Sequence, residues 1–177
     1  MAKPKNPNEK TLAADLVWAE ITRLYKTPGV EATVLELQDR RGANVMVVLF
    51  LCWLAGAGRV PRPGVGLDDL LKAGGVRRMV LLKPVRALRR ALFRKKGAKN
   101  ALKNILLGFE IHQERALLKI YLDLARPHTP VHPMPDNCPN LVVAYMKLLG
   151  LDTSYEGKFD LREYFTSIQC ILKGQGR

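Results

Sequence analysis

Residues 43–57 read Ala-Asn-Val-Met-Val-Val-Leu-Phe-Leu-Cys-Trp-Leu-Ala-Gly-Ala, and how this stretch is read decides the fold. Asn44 apart, it carries no polar side chain, so it suits either a helix buried on every side or a strand buried on both faces. Val45, Val47 and Val48 favour a strand. Length, and the absence of any partner strand elsewhere, decide for a helix. Its 15 residues fall short of the ~18–20 that a membrane span requires. Arg40-Arg41 and Arg59 bracket it. The expectation is an all-α bundle around this central helix, with Gly42 ending the helix before it and Asn44 as N-cap.

Upstream, Ala14, Val17/Trp18, Ile21 and Leu24/Tyr25 recur at helical spacing from Glu9 to Lys26. Pro28-Gly29 closes that helix, and a second runs from Val30 to Arg40. Residues 1–8, polar and with two prolines, read as a flexible tail. Downstream, a Gly/Pro-rich turn leads to a short helix Leu67–Ala73, with Gly74-Gly75 as turn glycines. A long basic helix then extends to about Lys96. Pro84 lies inside it and predicts a kink, or a break with a restart at Lys83. Ala98 to Arg126 is the longest helix. A proline-rich loop occupies 127–139, and two helices follow, about Asn140–Leu149 and Leu161–Lys173. The whole is a single helical domain over 9–177, of about six to seven helices.

The chain has 177 residues and a formal net charge of +13. One domain of this size buries a core without disulfides or metals. Cys52, Cys138 and Cys170 are odd in number and far apart, which predicts free thiols in a reducing, cytoplasmic setting. No apolar leader precedes Thr11. Phosphate-binding glycine loops, nucleophile elbows and paired zinc motifs are missing from the sequence, and no cofactor or metal is expected.

The charge is concentrated. Between Leu70 and Phe109 there is no acid and there are 12 basic residues, from Lys72 to Lys103. On a helical wheel Leu81, Val85, Leu88 and Leu92 form one stripe and Lys83, Arg86, Arg90 and Arg94 the opposite one. The apolar stripe is expected on the core. The expected polyanion-binding set is Lys83, Arg86, Arg90, Arg94, Lys95 and Lys96, since arginine makes bidentate contacts with phosphate. Phe93 is the lone aromatic there, which supplies little base stacking.

On the longest helix Glu110 and Glu114 lie one turn apart among Leu106, Phe109, Leu117, Leu107, Ile111 and Leu118. Carboxylates on an apolar surface require partners, and Arg89 is the expected one, with Arg86 and Arg90 also in range. The alternative is an enzyme or a small-ligand or metal-binding bundle using Glu110 and Glu114. His112 has the wrong spacing from Glu110 for a di-iron motif, and His128 and His132 fall in the proline loop. A third reading is a module that binds a membrane surface or an acidic protein.

Several pieces together resemble a family of uncharacterised proteobacterial helical proteins known only as a domain of unknown function. They are Trp18 with Tyr25, Pro28-Gly29-Val30, Leu37-Gln38-Asp39-Arg40 with Gly42, Leu49-Phe50 with Trp53-Leu54, Pro84-Val85-Arg86 with Arg89-Arg90, and Glu110 with Glu114-Arg115. The resemblance covers about residues 15–125. Asn44 and Met46 depart from it, standing where aspartate and asparagine are usual. It implies a bacterial cytoplasmic all-helical protein and supplies no activity. The functional expectation is therefore a non-enzymatic binding or adaptor protein whose basic helix, 72–103, contacts an anionic macromolecule such as RNA or a ribonucleoprotein.

Overall fold

The computed structural model describes residues 7–77, 82, 84–85, 87–88, 91, 100–127 and 141–151. Six helices occur among them: α1 Pro7–Tyr25, α2 Val30–Arg41, α3 Val45–Gly56, α4 Leu67–Arg77, α5 Asn100–Ala125 and α6 Leu141–Leu148. The described residues contain no strand, and the domain is all-α. The expected terminal helix 161–173 and the body of the proline loop lie outside the described residues.

The α3 helix is the axis. Every residue from Val45 to Leu54 is buried, which its all-round apolarity requires. Helices α1, α2, α5 and α6 pack on its sides. Each fully buried valine, leucine or phenylalanine stabilises the fold by about 1.5–3 kcal/mol relative to exposure. Phe50 joins the layers, with its ring 5.8 Å from that of Trp53 and 5.6 Å from that of Tyr121. Cys52 lies wholly inside, and burial pushes its thiol up to about 12, so it behaves as a small inert apolar residue.

Gly42 ends α2 as expected. Its φ of 68° is left-handed, its amide donates to Gln38 O at 3.0 Å, and the Ala43 amide donates to Leu37 O at 3.2 Å. This arrangement satisfies the last carbonyls and turns the chain directly into α3.

Three local expectations need correction. Asn44 occupies the N-cap position of α3 but its side chain makes no capping hydrogen bond; it is drawn to a tyrosine instead. Gly74 and Gly75 do not end a helix, since α4 continues through both to Arg77. The apolar stripe of the basic segment does not dock as drawn either: Leu82 is buried and Val85 half-buried, while Leu88 is 52% exposed. The cause is local. Leu82 is in a wide π-type turn, and such turns disturb regular α-helical side-chain spacing. Pro84, Val85, Ala87, Leu88 and Ala91 are helical; Lys83, where a break with a restart was expected, lies outside the described residues.

Candidate functional site

The inward face of α5 is polar over part of its length. Glu110 is buried, at 4% exposure, and Glu114 half-buried. Each makes a polar or ionic contact, as carboxylates withdrawn from water must. Gln113, one turn from Glu110, is also buried, and its Oε1 accepts no hydrogen bond. An orphaned buried acceptor costs about 1–3 kcal/mol. Outside this face, the Arg115 guanidinium lies 5.3 Å from the Trp18 ring centre, and the Trp53 indole N–H donates to Glu20 Oε2 at 2.5 Å. These two contacts tie α1 to α5 and to α3.

Further along the same face sits a network that the sequence did not announce. The Asn44 backbone N–H donates to the Tyr145 hydroxyl at 2.8 Å, and Asn44 Nδ2 donates to the Tyr121 hydroxyl at 3.3 Å. All three residues are buried. The network closes the N-terminus of α3 against α5 and α6. The signal that could have found it is the tyrosine pair, because Tyr121 and Tyr145 occupy inward helical positions and a buried hydroxyl requires a partner.

Of the expected polyanion-binding residues, Lys83, Arg86, Arg90, Arg94, Lys95 and Lys96 all lie outside the described residues, and so does Arg89, the expected partner of Glu110 and Glu114. A shallow open depression is formed by Gly64–Asp69 and Lys72. Within it the Gly66 amide donates to Asp69 Oδ2 at 2.8 Å, so the amide that an anion would use is already engaged. Asp68 and Asp69 occupy the first turn of α4, where the helix dipole favours acids.

Among the described residues no group of three or more His, Cys, Asp or Glu side chains is arranged to hold a metal ion. None of the described helices is long and apolar enough to cross a membrane.

The profile of the family described as a protein of unknown function (DUF2390) matches residues 16–120, well over half of the 177 residues, and the chain belongs to that family. No curated protein and no solved structure matches it.

Proposed function

We propose that this DUF2390 protein is a binding or adaptor protein and not an enzyme, and that it contacts RNA or a ribonucleoprotein through the basic segment 72–103. The observation that carries this reading is the distribution of charge. The 12 cations between Leu70 and Phe109 account for nearly all of the net +13, with no acid among them. A partner rich in phosphate neutralises such a segment and releases its own counterions, which gives affinity that depends on salt and little on sequence. Glu110 and Glu114 play structural parts in this reading, as buried or half-buried carboxylates held by cations of the preceding segment. Their burial and their polar contacts support that role over an open catalytic pair.

The test is retention of the purified protein on heparin and on immobilised RNA as salt is raised. Strong retention at low salt, lost by moderate salt, is the expected result. Arg90→Gln with Arg94→Gln should lower the salt slope by roughly one unit for each lost contact. Retention that ignores salt, or no retention at all, overturns the proposal. Pull-down from lysate with and without nuclease separates an RNA partner from an acidic protein.

A further inference from the structure

The N-terminal half of α5 carries a group of apolar side chains that the core does not use. Between Leu102 and Ile111 five of them are exposed: Ile105 at 67%, and Leu102, Leu107, Phe109 and Ile111 at 38–45%. Single exposed apolar residues are ordinary, but a contiguous group marks a contact surface. The remaining exposed large apolar residues, Leu16, Leu35, Leu88 and Leu148, are far apart in the chain. The exposed group is also uncharged. Ile105 to Ile111 contains one ionisable residue, Glu110, and it is buried.

Gly108 is exposed at the centre of this surface. At 100° per residue Leu102, Ile105 and Phe109 fall on one flank of it, Leu107 and Ile111 on the other, and Glu110 nearly opposite. Glycine is the poorest helix former after proline, and a helix interior keeps one where a neighbour comes too close for a Cβ. Gly74 is such a case, against Tyr121, whereas at Gly108 nothing lies within 4 Å of a Cβ. No contact among the described residues accounts for this glycine. Close approach of a second helix from outside does.

We infer that this face of α5 pairs with the same face of a second copy of the chain, the two helices crossing at Gly108. The inference does not depend on RNA binding. A two-fold contact needs a surface that complements itself. An uncharged apolar face does so, and it keeps the cations of two chains of net +13 each out of the contact. A phosphate-bearing or acidic partner would find no cation there among the described residues. Area sets the strength. Five large side chains with this exposure supply roughly half of the ~800 Å² that each partner gives to a standard interface. Standard interfaces range from micromolar to picomolar, so the dimer is weak, with a Kd on the order of 10–100 μM.

The test is sedimentation equilibrium of the full chain, freed of nucleic acid by nuclease, from about 5 to about 500 μM. The mean mass should rise from 19.8 kDa towards twice that value. It should rise further at about 0.5 M than at about 0.1 M sodium chloride, because salt screens the repulsion between two cationic chains. Ile105→Lys should raise Kd at least about tenfold by placing like charges across the axis, at an unchanged melting midpoint in dilute solution. Gly108→Ala should also weaken the dimer while raising that midpoint, a pair of effects that a role inside the monomer would not produce. Leu148→Lys, similarly exposed on α6, should leave the dimer unchanged. A wild type that stays monomeric at both salt concentrations overturns the inference, and a midpoint lowered by Ile105→Lys would then mean that another part of the same chain covers the face. Dimers that Ile105→Lys leaves intact, or that salt dissolves as it would an assembly bridged by a polyanion, overturn it as well.

Discussion

Gly74 lies inside α4 against the ring of Tyr121, and no other residue type fits there. A Cβ at this position would collide with the Tyr121 hydroxyl and stand 2.9 Å from Cζ. The ring cannot swing aside easily, because it is wholly buried, packed on Phe50, and joined through its hydroxyl to Asn44. Gly75, its neighbour, meets nothing within 4 Å. The two glycines therefore predict opposite outcomes for one substitution. Gly75→Ala should stabilise the fold by up to about 1 kcal/mol through helix propensity. Gly74→Ala should destabilise it by about 1–3 kcal/mol, overpacking outweighing the same propensity gain. Urea denaturation of the two variants checks this, and equal stabilisation by both would show that Tyr121 is not held as described. Sequence pattern could not separate these glycines. A glycine pair looks like a helix stop, and the fact that decides otherwise is a tyrosine on another helix. Asn44 is a parallel case, since its side chain was expected on the adjacent amides but is committed to a hydroxyl 77 positions away.

At the level of elements, the helices legible from sequence were those whose signal is local. Helix α3 declared itself by being apolar on all sides, α2 by Gly42 after it, and α5 by length and the following Pro127. The basic segment was harder, because an interior proline, Pro84, interrupts the regular spacing on which a helical wheel depends. The exposed positions Pro84, Ala87, Leu88 and Ala91 define its outer side. Leu88 belongs to that exposed side, although an apolar stripe through Leu81 and Leu88 had been expected on the core. Arg89 remains the proposed partner of Glu110 and Glu114, with Arg86 also in range by sequence spacing. Arg86→Gln and Arg89→Gln should each destabilise the protein, by up to about 3–5 kcal/mol where the carboxylate left behind stays buried. Arg94→Gln should change stability by less than about 0.5 kcal/mol, as ordinary surface substitutions do. Thermal or denaturant unfolding of the three variants decides the matter. Tolerance of Arg86→Gln and Arg89→Gln, with loss on Arg94→Gln, would mean that the segment faces the other way.

For the whole molecule the decisive quantity is the net charge of +13, because it sets two salt effects of opposite sign. Cations confined to one compact chain repel one another, and that repulsion opposes folding. Screening relieves it: the Debye length falls from about 30 Å at 0.01 M to about 10 Å at 0.1 M, so distant cations cease to interact across the domain. The free protein should therefore gain stability as sodium chloride rises over this range. In a chain of this size each kcal/mol gained raises the melting midpoint by about 2–4 °C. Binding should move the other way, because salt opposes counterion release. A polyanion such as heparin, which binds the folded state, should raise the midpoint at low salt by mass action and lose that effect as salt increases. Differential scanning with and without heparin across the salt range should thus give two curves that converge from different starting points, the heparin curve higher at low salt. A midpoint of the free protein that falls with salt would show that attractive charge contacts such as Arg40 with Glu36 at 3.2 Å outweigh the repulsion. Two curves that never differ would remove the polyanion from the account of what this charge is for.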